Sequence, residues 1–301
     1  MITIGSDPEF VILDVKKNEP IESYQIFKNK VYSAKSVAPV CLTKNSVLCY
    51  EDYNKSRGKM CTEKNHFCGH LVHSPEIGCD GSLGELRPQP GETPIAHVEN
   101  IRELILEVAS VLKAHEEVRA GTLYRTSSSG GWSLGGHIHI GMDSLKDDSR
   151  RRDFSQYVSY YSGLILRCIE NIDDARYRGL RKDNFGYYGK YDTKPYGIEW
   201  RMPASWLISK EIATAELCLT YVVADDYNQP SKTRIGEVSH ATSLADYEYQ
   251  EIVENRNVQN IIEDVEQMKL YGSYKKEIEP LFQMINNKQT WDQSVNVLNN
   301  W

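Results

Sequence analysis

The chain has 301 residues, 40% of them apolar, and its 35 Lys and Arg against 42 Asp and Glu give a formal charge of −7. That length buries a sizeable core as one large or two modest domains, and the acidic balance argues against coating nucleic acid or an anionic membrane. No run approaches the ~18 apolar residues of a spanning helix and no basic-then-apolar leader opens the chain, so a cytoplasmic protein without membrane partners is expected. Seven cysteines at spacings with no repeating framework fit reduced thiols better than a disulfide scaffold.

Taken in chain order, Ile2, Ile4, Phe10 and Ile12 recur on a period near two and predict a strand over residues 1–13. Residues 15–75 hold four of the cysteines and no sustained period, as an irregular insertion or a peripheral hairpin layer would. Asp80-Gly81 reads as a tight turn before a short strand at Gly84–Pro88. Thr93-Pro94 reads as an N-cap with proline at the first helical position. It opens an amphipathic helix carrying Ile101, Leu104, Ile105, Val108, Val111 and Leu112, expected to run to near Gly121. Strands are expected at 122–126 and 134–142, a helix at 153–171, a loop rich in Arg, Tyr and Gly at 174–195, and a strand at 196–202. Ser209 should cap a further helix, and the tail from 244 reads as helical, most clearly at Tyr274–Ile285 and Trp291–Leu298. Strands separated irregularly by helices predict an α+β fold with helices on one face of a mainly antiparallel sheet. It is read as a single domain spanning 1–301, with the insertion at 15–75 and a helical extension at 244–301.

Polar residues stand two apart in four strand-like segments: Asp7 and Glu9, Glu85 and Arg87, His137 and His139, Glu199 and Arg201. Alternate side chains of a strand share a face, so each pair points one way. One such pair is ordinary on a half-exposed sheet, and His137 with His139 taken singly equally fits a hydrogen-bonded core pair. Four pairs in one sheet would gather acids, imidazoles and arginines on one face, a cation site beside a phosphate site. Carboxylates and imidazoles without thiolates suit Mg²⁺ or Mn²⁺, and arginines supply forked donors to phosphate or carboxylate. Gly135-Gly136 before the histidines and Gly141 after them allow another backbone or a ligand to come close.

These segments are also recognisable as a set. Gly5-Ser6-Asp7-Pro8-Glu9-Phe10-Val11-Ile12-Leu13-Asp14 resembles the first metal-binding strand of glutamine synthetases, with Asp7 where Glu is usual. Gly135-Gly136-His137-Ile138-His139-Ile140-Gly141 resembles the His-x-His strand of glutamine synthetases and glutamate-cysteine ligases, and Gly197-Ile198-Glu199-Trp200-Arg201-Met202-Pro203 their Glu-x-Arg-x-Pro strand. With Asp80-Gly81 and Glu85-Leu86-Arg87-Pro88 added, the order resembles the phage-type carboxylate-amine (COOH-NH2) ligase, type 2, an amidoligase branch of that superfamily. The resemblance implies a glutamine-synthetase-like catalytic domain, ATP, and two or more divalent metals, Mg²⁺ or Mn²⁺. It also implies ligation of a small-molecule or peptide carboxylate to an amine through an acyl-phosphate. By position it implies that Glu9 and Glu85 serve one metal and Asp7, His137 and Glu199 another, with His139 beside them. Arg201 would meet the transferred phosphoryl group and Arg87 either phosphate or the substrate carboxylate. Arg176, Arg178, Arg181 and Lys182 stand where the family holds phosphate. An acyl-phosphate must be shielded from water, and Phe185-Gly186-Tyr187-Tyr188-Gly189 reads equally as part of a cover or as a loop packed by tyrosines.

Other readings stay beside this one. A metal-dependent hydrolase could use His137 and His139, leaving Arg87 and Arg201 without a role. A guanidino-type kinase of the same superfamily would stop at phosphoryl transfer. A non-catalytic binding module would have no need of acids or imidazoles on all four strands. Cys61, Cys68, His70 and His73, with Cys41, Cys49 and His66 nearby, lack a CxxC knuckle, which argues against a structural zinc. No Walker, Rossmann or Gly-x-Ser-x-Gly fingerprint is present. Nineteen tyrosines without a basic stripe read as packing rather than a nucleic-acid platform.

Overall fold

Along β1 (Thr3–Asp14) the even positions Ile4, Phe10 and Ile12 are buried and apolar, while the odd positions Gly5, Asp7 and Glu9 face the other way. This alternation sets the architecture of the computed structural model, which describes residues 2–27, 76–80, 82–125, 131–180, 186–229 and 258–301. The other strands are β2 (Glu19–Ile21), β3 (Ile77–Asp80), β4 (Leu83–Leu86), β5 (Glu116–Arg119), β6 (Leu123–Tyr124), β7 (Trp132–Ser133), β8 (Gly136–Gly141), β9 (Tyr191–Lys194) and β10 (Gly197–Trp200). Eight of the ten strands among the described residues, β1 included, form one sheet in the order β3-β4-β1-β8-β10-β9, with β2 and β5 also pairing with β1, and every pairing is antiparallel. A separate ribbon joins β6 to β7.

Helices cover the apolar face of the sheet, so the fold is α+β. They are α1 (Ser23–Phe27), α2 (Pro94–Ala109), α3 (Asp148–Val158), α4 (Leu164–Arg167), α5 (Ile172–Leu180), α6 (Lys210–Tyr227), α7 (Gln259–Glu266) and α8 (Tyr271–Asn286). Ile4, Phe10, Leu86, Ile138, Ile140, Ile198 and Trp200 from the strands pack in one core with Ile101, Ile105, Val158, Leu164, Leu217 and Val222 from the helices. At about 1.5–3 kcal/mol per buried large apolar side chain, this layer is the main source of stability. α8 lies against α6 and closes the helical layer from outside. Side-chain caps set the helix starts: Thr93 accepts from the Ala96 N–H at 3.1 Å, Asp147 from Arg150 at 3.0 Å and Ser209 from Ile212 at 3.2 Å. No helix among the described residues is long and apolar enough to cross a membrane.

Three expectations need correction. The helix from Thr93 stops at Ala109, well short of Gly121, because residues 116–119 pair with β1 as β5; a sheet register overrides helix propensity there. The segment 174–195 is not a loop throughout. α5 occupies its start, capped by Asn171, whose Oδ1 accepts from the Asp173 and Asp174 N–H groups, and β9 occupies its end. Trp291–Leu298 is largely irregular, since Asp292 and Asn296 turn their side chains onto nearby backbone N–H groups and so compete with a helix. Asn296 also accepts from Val118 of β5 at 3.1 Å. The cysteine and histidine positions 41–73 lie outside the described residues, as does most of the 15–75 insertion and the tail from 244 to 257.

Candidate functional site

The strand registers decide which side chains meet. Asp7 lies opposite His137 and Glu9 opposite Glu85, while His139 lies opposite both Gly5 and Glu199. All six therefore project from the face away from the helices, and Arg87 and Arg201, two residues beyond Glu85 and Glu199, share that direction. The structure brings these eight residues together across four neighbouring strands.

Contacts at the centre are close. His137 Nδ1 is 3.3 Å from Asp7 Oδ1 and 3.4 Å from Glu199 Oε1, and His139 Nε2 is 3.1 Å from Asp7 Oδ2. Arg201 reaches Glu199 at 2.5 Å and Asp192 at 3.2 Å, and Lys194 Nζ reaches the other oxygen of Glu199 at 2.5 Å. Next to this group Arg87 pairs with Glu85, and Glu9 Oε2 accepts the Gly135 N–H at 2.5 Å. Two glycines make room. A Cβ at Gly78, opposite Glu85, would run into the Arg87 guanidinium, and one at Gly135 would overlap the His137 ring.

Burial and mutual charge set the protonation states. Burial would raise Asp7, but the imidazoles of His139 and His137 hold it far below the usual carboxylate range. Burial and Asp7 push Glu199 up, and the two imidazoles with Lys194 more than reverse this, leaving it lowered. His137 is raised: burial works against its charged form, and the hydrogen bond and charge of Asp7 outweigh that cost. Glu85 moves the other way, to about 8, because burial and the charges of Asp7 and Glu9 outweigh Arg87. Carboxylates facing each other across a strand pair repel unless a cation stands between them.

Asp7, His137 and Glu199 each offer a ligand atom within 4.8 Å of the others, and the set is two hard carboxylates with one imidazole. His137 turns Nδ1 rather than Nε2 to Asp7 and Glu199, which makes Nδ1 its candidate ligand atom. By donor chemistry, two carboxylates and an imidazole nitrogen turned to one another, the residues fit a divalent cation. The neighbouring Ser6 Oγ, 2.8 Å from His97 Nε2, is a different matter. His97 is driven down to about 4 by burial, donates from Nδ1 to the Gln89 carbonyl and accepts from Ser6, tying β1 to α2 inside the core.

Arg178 is brought elsewhere. It is buried, and its guanidinium donates to the carbonyls of Leu134 and Pro203, bracing the chain just before β8 and just after β10. Arg176 lies on the exposed side of α5, 3.8 Å from Asp173. Arg181, Lys182 and Phe185 lie outside the described residues. Gly186, Tyr188 and Gly189 are tied to Arg167, Gln156 and Ser159, which fits the packed-loop reading of that stretch.

Three residues escaped the sequence reading. Asp192 and Lys194 sit on β9, and Tyr196 in the turn to β10 places its hydroxyl 2.5 Å from His139 Nδ1. The signal was present, since Asp192 and Lys194 repeat the two-residue spacing of the other strands, but the run of Arg, Tyr and Gly before them hid the strand.

Comparison with curated proteins finds no match. A family model, however, matches residues 62–301, a span that contains Glu85, Arg87, His137, His139, Glu199 and Arg201 and begins after Asp7 and Glu9. The chain belongs to the phage phiEco32-like COOH.NH2 ligase-type 2 family.

Proposed function

We propose that this protein is an ATP-dependent carboxylate-amine ligase that forms an amide through an acyl-phosphate at a divalent-metal site. The observation that carries the reading is the meeting of Asp7, His137 and Glu199 with Arg201 on one sheet face, acids and a guanidinium within contact of each other. In this reading Asp7, His137 and Glu199 would hold one cation, and Glu9 with Glu85 a second. Such cations neutralise phosphate charge when bound.

The chain's own residues account for the remaining tasks. Arg201 turns a forked donor toward the acids and would hold the phosphoryl group in transfer, and Arg87 would hold phosphate or the substrate carboxylate. A carboxylate oxygen attacks the γ-phosphorus and ADP leaves. The amine nitrogen then attacks the acyl carbon, phosphate leaves and the nitrogen gives up its proton. The fixed backbone of β1, β8 and β10 keeps these groups from reorganising, which is what electrostatic stabilisation requires.

The test is turnover with Mg-ATP, a panel of carboxylates, and hydroxylamine as the amine, scored for ADP, phosphate and hydroxamate. All three products in equal amounts support the reading. ADP with a stable phosphorylated product indicates a kinase, and hydrolysis without nucleotide that needs His137 and His139 indicates a metallohydrolase.

A further inference from the structure

Glu199 is almost completely buried, its side chain 3% exposed, yet it carries two cations. Lys194 Nζ sits on one oxygen, and Arg201 with His137 Nδ1 on the other. The two cations differ in what else holds them. Arg201 also grips Asp192, whereas Glu199 is the ion-pair partner found for Lys194 among the described residues. The backbone explains the reach. β9 and β10 form a hairpin with the two-residue turn Pro195-Tyr196, and Lys194 lies opposite Gly197, which has no side chain to stop the lysine from leaning along the strand to Glu199. The Lys194 side chain is 21% exposed, so its four-carbon stem has room to swing.

We infer that Lys194 is an exchangeable counter-ion. It neutralises Glu199 in the metal-free protein, and it turns to a phosphate oxygen of the nucleotide once a divalent cation binds the same carboxylate beside Asp7 and His137. The inference rests on the metal reading of the site. A divalent ion on Glu199 and an ammonium on the same carboxylate repel each other at contact distance, and burial weakens the screening between them. Arg201 can stay, anchored by Asp192. Lys194 has no second anchor among the described residues, and a compact ammonium with three donors matches a polyphosphate oxygen held by the same cation. Cation and polyphosphate binding are then coupled through one side chain.

The experiment is calorimetric titration of the full chain and of Lys194→Met with two probes, Mn²⁺ alone and preformed Mn²⁺-tripolyphosphate. Lys194→Met should bind Mn²⁺ alone about tenfold more tightly and the tripolyphosphate complex about tenfold more weakly, a change of opposite sign for the two probes. Lys194→Arg, which keeps the charge, should stay near the wild type for Mn²⁺ alone. A Lys194→Met protein that loses affinity for both probes, or changes for neither, overturns the inference and leaves the metal reading standing. Absence of Mn²⁺ binding in both proteins overturns the metal reading itself.

Discussion

Gly135→Ala separates a site built around His137 from a merely polar sheet face. A methyl at this position would lie 2.8 Å from both Cδ2 and Cε1 of His137 and closer still to Nε2, where ordinary contact begins at 3.4 Å. The ring must therefore retreat by about 1 Å in a region already packed to solid density. Overpacking of this kind costs about 1–3 kcal/mol, and moving a ligand ring off its position should weaken divalent-cation binding at least about tenfold. Gly136→Ala is the control. Its Cβ would press on the Ala204 carbonyl and the Trp206 indole on the core side, so it should destabilise at least as much while acting on the opposite face from His137. Thermal melts and Mn²⁺ titrations of both variants give the comparison. Wild-type Mn²⁺ affinity in Gly135→Ala would refute the placement of His137 as a ligand.

Glu216, fully buried between Ser162 and Thr220, is pushed up to about 8, chiefly by burial. The folded state thus holds its proton more tightly than the unfolded state, so its stabilisation is complete below about pH 4.5 and is lost as pH rises toward 8, at up to about 1.4 kcal/mol per unit. Glu216→Gln should flatten that slope in urea titrations from pH 5 to 8, and parallel curves for the two proteins would count against it. Arg167→Met strands the buried Glu170 carboxylate and frees the Gly186 and Met202 carbonyls, and should cost about 3–5 kcal/mol in chemical denaturation. Thr93→Ala removes the cap of α2 and should lower stability by about 1 kcal/mol, with no change in cation binding.

How far the sequence carries depends on the period of each segment. The alternation in Ile4–Ile12 and in His137–Ile140, and the caps at Thr93 and Ser209, are local signals, and the strands and helix starts they predict are where the structure has them. The shared direction of the paired acids, imidazoles and arginines followed from two-residue spacing alone, because a strand offers only two faces. What spacing could not say is which residues lie opposite one another. The pairing of Asp7 with His137 and of Glu9 with Glu85 is set by long-range register. Glu116–Arg119 has good helix formers and becomes a strand only because β1 is there to pair with it. Arg178, which the resemblance sets where the family holds phosphate, is drawn into bracing two backbone carbonyls, a use that no local pattern encodes.

The central claim, that one sheet face is a divalent-cation centre for nucleotide chemistry, is tested most directly by diffraction from crystals soaked with Mn²⁺ and a non-hydrolysable ATP analogue. The account predicts an anomalous peak bounded by Asp7, His137 and Glu199, with the analogue's phosphates beside Arg201. A Mn²⁺ peak elsewhere, or ordered nucleotide with no metal between it and these three side chains, would contradict it.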